Sequence, residues 1–321
     1  MRLHHDFIWS TLVHFSTNLW FDKGNTRCDG SAVWRSPASS SLRFDRSLWN
    51  EYVDALIKCG SNAVVIDLGD AMIYDSHPEI AVDGAFTKDE IRAELDRLND
   101  LGFEVIPKLN FSATHDEWLG EYARMLSTSK YYEVCRDLIM ETAELFDARL
   151  FHIGFDEETY DHQKDYTYVT VRNGDLWWHD LKFMADCVEE CGARALVWSD
   201  YARNKPDEFV AKLPKSVIPV NWYYFTEFGE DMSEMARVRV EPFHILERHG
   251  FDQIPGGSVE YHRENIELLA RYCKEHIASE RLLGFIQTTW ASVEEKYKDK
   301  LFDGAATLGD AIKTFYEEIG D

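Results

Sequence analysis

The sequence predicts a single α/β domain, a (β/α)8 TIM barrel running from residue 1 to residue 321. Two observations carry this reading. The first is a junction that recurs four times, a helical stretch ending in glycine and followed at once by a short apolar run. It reads KCG-SNAVVIDLGD around Gly60, DLG-FEVIPKLNF around Gly102, ECG-ARALVWSD around Gly192 and RHG-FDQIPGGS around Gly250. Glycine ends a helix by taking the left-handed conformation, and a continuous apolar run suits a strand covered on both faces. Helix then buried strand, repeated, means a parallel sheet with helical crossovers. The second is that acids and large aromatics collect at the carboxyl ends of those strands, where a barrel keeps its chemistry.

Taken in order, strands are expected at 8–17, 62–68, 103–109, 149–154, 194–199, 217–222, 251–255 and 282–288. The four glycine junctions supply the second, third, fifth and seventh, and the remaining beats supply the others. Helices are expected at 45–59, 87–101, 130–146, 174–191, 206–212, 232–249, 262–276 and 305–318. The second helix opens on FTKDE, where Thr87 precedes Glu90 at capping-box spacing. The seventh strand has a competitor in EPFHILE, residues 241–247. Eight strand–helix units fit the barrel, with a doubly wound open sheet as the alternative. No linker, low-complexity segment or second domain interrupts the pattern.

Composition narrows the partners. The chain is 45% hydrophobic and 14% aromatic, ample material for a core, and carries a formal net charge of −24. Such an acidic chain is a poor match for nucleic acid or an anionic membrane surface. No apolar run approaches the roughly 18 residues needed to span a bilayer, and MRLHHDFIWS lacks the basic and apolar regions of a signal peptide. A cytoplasmic location is expected. The cysteines at 28, 59, 135, 187, 191 and 273 form no CxxC pair and read as reduced structural thiols. His4, His5 and Asp6 have no third ligand at metal-binding spacing, Gly256-Gly257 is too short for a phosphate loop, and no G-x-G-x-x-G appears. No metal or cofactor is expected, and the oligomeric state is left open.

The strand ends hold the candidate site. The second strand ends in Asp67 and Asp70, the third in Lys108, Asn110 and His115, and the fourth in Asp156, Glu157 and Glu158. Trp198 and Asp200 follow the fifth, Asn221, Trp222, Tyr223 and Tyr224 the sixth, GGS (256–258) the seventh, and Gln287 and Trp290 the eighth. Indole and phenol rings stack on the C–H faces of pyranoses, and carboxylates grip their hydroxyls. Cleaving a glycosidic bond needs an acid on the leaving oxygen and a second group for the oxocarbenium-like transition state. The residues therefore point to a carbohydrate or glycoconjugate substrate, with Asp156 and Glu157 catalytic. Asp70, His115, Trp198, Asp200, Trp222, Tyr223, Tyr224 and Trp290 are the expected substrate contacts.

HIGFDE (152–157) resembles the H-x-G-G-D-E signature of glycoside hydrolase family 20, the β-N-acetylhexosaminidases, with Phe155 in place of the second glycine. SNAVVIDLGDAMIYDSHPEI (61–80) resembles that family's second strand and loop, FTKDEIRAELDRLNDLGFEVIPKLNFSATH (86–115) its next helix and strand, and VWSD (197–200) the strand that supplies a pocket tryptophan. The likeness covers roughly residues 45 to 200. It implies a retaining, exo-acting hydrolase working by substrate assistance. Glu157 would be the general acid/base, and Asp156 would orient the substrate's 2-acetamido group. Trp198, Trp222 and Trp290 would enclose the sugar, and Tyr223 or Tyr224 would donate to the acetamido oxygen. Glu158 would be structural. Glu157 is expected to have a raised pKa, driven by the Asp156 carboxylate beside it. Phe155 is expected to reshape the pocket next to the pair.

The departures bear on specificity. The family's strand-one arginine is missing from WSTLVHFSTNLW (9–20), where His14 or Asn18 stands, and Lys108 and Asn110 occupy positions where acids are usual. Two other glycan readings remain: a glycosidase on sugars without the acetamido group, using Asp70 or Asp200 as its second carboxylate, and a barrel that binds carbohydrate without cleaving it. A metal-dependent sugar isomerase would need spaced His and acid ligands on successive strands, which the sequence lacks.

Overall fold

The computed structural model describes residues 2–22 and 36–317; Cys28 lies outside them, as does the last residue of the expected eighth helix. Among the described residues the strands are β1 (Ile8–His14), β2 (Ala63–Asp67), β3 (Glu104–Lys108), β4 (Leu150–His152), β5 (Arg194–Trp198), β6 (Ile218–Val220), β7 (Gly256–Ser258) and β8 (Gly284–Ser292). They form one sheet in the order β6-β5-β4-β3-β2-β1-β8-β7. A parallel bridge between Trp222 and Gly256 joins the two ends of that order. The fold is a (β/α)8 TIM barrel.

The helices between and after the strands are α1 (Arg46–Cys59), α2 (Lys88–Asp100), α3 (Ser129–Phe146), α4 (Tyr160–Gln163), α5 (Asp175–Glu190), α6 (Tyr201–Asn204), α7 (Pro206–Lys212), α8 (Glu234–Arg248), α9 (Asn265–His276) and α10 (Lys298–Glu317). The four junction glycines have φ of 87°, 96°, 81° and 68°, the left-handed region that ends a helix. Thr87 and Glu90 close the expected capping box on α2.

Two boundaries differ markedly from expectation. The seventh strand is the glycine pair Gly256-Gly257 with Ser258, in parallel register with Ile286–Thr288, and not the preceding 251–255. A side chain on Gly257 would put its Cβ 2.7 Å from Ile266 Cδ1. The strand lies close against α9, where glycine leaves the Ile266 side chain its room, and glycine carries no strand signal. EPFHILE is part of α8, with Pro242 inside the helix. The last helix starts at Lys298 and runs through Gly304, whose bare face receives Thr289; a Cβ there would lie 2.4 Å from Thr289 Cγ2.

The chain divides into two compact units. One comprises Met1–Leu3, His14–Phe44 and Ile66–Val197; the other comprises His4–Val13, Asp45–Val65 and Trp198–Asp321. The first contains the carboxyl ends of β2, β3 and β4, with α3 and α5 packed side by side. The second is built on an apolar cluster that includes Phe243, Leu269 and Phe315, with Trp9 stacked on Phe285 at 4.9 Å. The five described cysteines are free thiols. No helix among the described residues is long and apolar enough to cross a membrane.

Candidate active site

In the first unit the chain leaves β4 through a backbone that turns left-handed at three of four residues. Gly154, Phe155 and Glu157 have φ of 78°, 72° and 54°. Only glycine adopts this region without cost, so Phe155 and Glu157 are held there by their surroundings. The holding is explicit. The segment after β3 grips the acids one by one: Asn110 Nδ2 donates to Asp156 Oδ1 at 2.9 Å and Ser112 Oγ to the Asp156 carbonyl at 2.5 Å. Ala113 N donates to Glu158 Oε2 at 3.1 Å, and Thr114 Oγ1 to the Glu157 carbonyl at 2.8 Å. Gly154 lets Asn110 approach; a Cβ there would overlap Asn110 Oδ1 at 2.0 Å.

His115 ends this segment and faces both acids. Its Nε2 lies 3.2 Å from Asp156 Oδ2 and 3.5 Å from Glu157 Oε2, and its side chain is almost wholly buried. A second histidine, His162 on the one-turn helix α4, places Nε2 3.5 Å from Glu157 Oε1. Burial alone would raise the Glu157 carboxyl, but hydrogen bonds from His115 and His162 outweigh it and hold the group well below the usual carboxylate range. The expected raised pKa is thus overturned, because the neighbours that count are two imidazoles and not Asp156. Asp156 is depressed in the same way, burial being outweighed by the charge and hydrogen bond of His115. For His115 burial opposes the charge, yet Asp156 and Glu157 raise its pKa to about 10.

This imidazolium makes stability pH-dependent. A group raised from 6.5 to about 10 contributes stability that is fully present below 6.5 and lost as pH climbs through 10. The stability advantage of wild type over His115→Asn is expected to shrink across that window in denaturant melts. A difference that stays flat would contradict a charged His115.

Donor atoms of His115, Asp156 and Glu157 lie within 4.8 Å of one another, a spacing a divalent cation would accept. A ligating imidazole must first lose its proton, and the two carboxylates oppose that. EDTA is expected to leave the melting temperature unchanged, and a clear drop would reveal a bound cation.

The other acids near these strand ends have different work. Asp70, expected to contact substrate, accepts from Ser16 Oγ and Asn18 Nδ2, each at 2.6 Å, and is buried. Lys108 Nζ donates to Asp67 Oδ2 at 2.5 Å, and His14 Nδ1 lies 3.2 Å from the same oxygen. Burial raises the Asp67 carboxyl, but Lys108 and His14 bring it down to about 2. Glu158 accepts a two-point grip from Arg172, whose Nε and Nη2 donate to its two oxygens at 2.9 and 2.6 Å. Phe155, expected to reshape the pocket beside the acids, packs inward. Its ring is buried edge-on to Trp177, with the Arg172 guanidinium 4.5 Å from its centroid.

The second unit gathers the aromatic candidates. The Trp222 and Tyr224 rings lie 5.0 Å apart, and Trp290 meets Tyr224 edge-on at 6.4 Å. Gly256 is flanked by Trp198 and Trp222, which would stand 3.3 and 3.2 Å from a Cβ there. Arg203 lies over the Trp222 ring at 3.6 Å. Trp290 has φ 45°, another left-handed non-glycine. Tyr223 points elsewhere; it is buried in the apolar cluster and donates its hydroxyl to the Glu227 carbonyl at 2.9 Å. Neighbours in an extended chain face opposite ways, so Tyr224 is the tyrosine on the tryptophan side. Asp200 is half-buried at the start of α6.

Sequence reasoning missed His162, Arg172 and Trp20. Trp20 meets His14 edge-on at 5.3 Å and His115 at 6.4 Å. Of the three, only His162 left a trace in the sequence, lying five residues beyond Glu157 in a turn that Thr159 caps.

Fold and site together define a (β/α)8 barrel with an Asp-Glu pair directly after its fourth strand. No protein-family model and no curated protein matches the chain. Solved structures do. The β-N-acetylhexosaminidase from Bacteroides fragilis NCTC 9343 is similar with a TM-score of 0.64 and 15% identity, over 98% of this chain and 69% of that one. The GH20 β-N-acetylhexosaminidase from Streptomyces coelicolor A3(2) is similar with a TM-score of 0.60 and 13% identity, over 98% and 70%. A mutant Streptomyces plicatus β-hexosaminidase in complex with its product GlcNAc is similar with a TM-score of 0.60 and 14% identity, over 98% and 69%. This chain shares their fold.

Proposed function

We propose that the protein is a glycoside hydrolase of the β-N-acetylhexosaminidase kind, releasing a terminal 2-acetamido sugar with retention and substrate assistance. The observation that carries the reading is the Asp156–Glu157 pair, two adjacent carboxylates that share His115 and have further partners of their own on a strained turn. Strain of this kind persists where it serves a site. Asp156, anionic and held by Asn110 and His115, suits the task of orienting an acetamido N–H and balancing the positive charge that develops on its ring-closed form. Glu157 is the more open of the two, with its side chain 32% exposed, as a group must be that reaches a leaving-group oxygen and later a water. Trp198, Trp222, Tyr224 and Trp290 are the aromatics assigned to the sugar. The shared fold adds weight, since the Streptomyces plicatus enzyme is described with GlcNAc as its product.

Of the alternative second carboxylates, Asp70 is buried and already engaged, both of its oxygens accepting hydrogen bonds. The test is hydrolysis of paired aryl β-glycosides that differ only in the 2-acetamido group. The proposal expects turnover of the acetamido sugars alone. Cleavage of sugars lacking that group, at equal or better rates, would refute substrate assistance. Binding without cleavage of any member would support a carbohydrate-binding barrel.

A further inference from the structure

Glu157 has histidines on both of its oxygens, and they are unlike. His115 is buried, and its Nε2 is shared with Asp156, the nearer of its two acids. His162 faces only Glu157 among the acids of the pair, and 45% of its side chain is exposed. The position of His162 is built. Thr159 Oγ1 accepts from His162 N at 3.4 Å and lies 2.7 Å from His162 Nδ1, while Thr159 N donates to the Glu157 carbonyl at 2.7 Å. Gln163, next in the turn and buried, donates to Thr114 Oγ1 at 3.2 Å and to the Thr170 carbonyl at 3.0 Å. Thr114 in turn holds the Glu157 carbonyl. The turn that carries His162 is therefore fastened to the same two segments that carry His115 and Glu157.

We propose that His162 is the proton store for Glu157, so that one proton is shared between the His162 imidazole and the Glu157 carboxylate and is back on His162 at the end of each cycle. The inference rests on the reading of Glu157 as general acid. At rest the proton sits on His162, and Glu157 is the anion. When a sugar enters and water leaves, the N–H bond at His162 Nε2 breaks and an O–H bond forms at Glu157 Oε1, leaving neutral imidazole and carboxylic acid. Glu157 then gives that proton to the departing oxygen as the glycosidic bond breaks. In the second half Glu157 takes a proton from the attacking water and returns it to His162, so the cycle closes with no net proton consumed. Among the described residues, the charged groups near His162 include Glu157 in front and, behind that carboxylate, His115 and Asp156; Asp161 and Lys164 flank it on its own exposed turn. His162 acts through Glu157, so its effect falls on proton supply and not on sugar binding.

Two measurements test this on the full chain. In an NMR titration of labelled histidines, Glu157→Gln is expected to lower the His162 pKa by roughly one unit or more, since an adjacent anion is lost. An unchanged His162 titration overturns the shared proton whether or not the protein hydrolyses anything, which keeps this test separate from that of the proposed function. In kinetics, His162→Asn is expected to lose about 10-fold or more on an alkyl glycoside and little on a dinitrophenyl glycoside, whose leaving group needs no proton. The basic limb of its kcat/KM profile is expected to move to lower pH, with KM little changed. Equal loss on both substrates with an unmoved pH profile would mean that His162 only supports the turn, and the proposal would fall. His162→Gln serves as a second variant, with thermal melts to verify that each folds.

Discussion

Glu157→Gln is expected to lower kcat on a 2-acetamido glycoside with a poor leaving group by about 10²–10⁴-fold, the usual worth of a positioned general acid. The change is nearly isosteric. It leaves an amide that still accepts from a histidine, so the left-handed turn at residue 157 keeps its neighbours and KM is expected to move little. What disappears is the group that carries the proton. The deficit should therefore nearly vanish on dinitrophenyl glycosides in the first half-reaction and reappear in the second, where a base must activate water. Burst kinetics would separate the halves. Full activity of Glu157→Gln on every substrate would remove Glu157 from the mechanism and with it the reading of the site.

Much of the architecture was legible because it depends on local rules. The junction glycines Gly60, Gly102, Gly192 and Gly250 mark helix ends through backbone stereochemistry, which any one junction reports by itself. The Thr87–Glu90 box is equally local. The seventh strand was misplaced because Gly256 and Gly257 are chosen by what they must avoid, Trp222 and Ile266, and these contacts belong to tertiary structure. The site divides along the same line. Asp156 and Glu157 are adjacent in sequence and stand out as a pair, whereas Tyr223 and Tyr224 were left undivided until the apolar cluster claimed Tyr223. The protonation of Glu157 was read wrongly because it depends on His115, 42 positions earlier in the chain, and on His162. Within the sequence Asp156 was the visible neighbour; in the fold two imidazoles outweigh it. The place of the Phe155 ring was hidden for a related reason. A ring replacing glycine suggested an altered pocket, whereas the left-handed backbone turns that ring toward Trp177 and Arg172.

Arg172→Met is expected to destabilise the protein by about 3–5 kcal/mol, the cost of leaving buried charge without its partner. Arg172 and its two acids are almost fully buried, and every arm of the guanidinium is used. Nε and Nη2 hold Glu158, Nη1 donates to Asp180 Oδ2 at 3.1 Å, and Nη2 also donates to the Phe111 carbonyl at 2.7 Å. Asp180 keeps two neutral donors after the loss, Ser127 Oγ at 2.8 Å and the Tyr132 hydroxyl at 2.5 Å. Glu158 keeps only the backbone amides of Ala113 and residue 172. Most of the penalty should therefore sit on Glu158, and a double-mutant cycle can locate it. Glu158→Gln introduced into Arg172→Met is expected to recover part of the lost stability, whereas the same change in wild type should destabilise. Activity should fall beyond what unfolding explains. Glu158 and Phe155, two of the groups Arg172 holds, bracket Asp156 and Glu157, and a turn with left-handed residues relaxes when its clamp is removed. The urea midpoint and the kcat of the folded fraction measure the two effects separately. Should Arg172→Met melt like wild type, the buried cluster would not be what fixes the turn, and the source of the strain at Phe155 and Glu157 would have to be the segment after β3 alone.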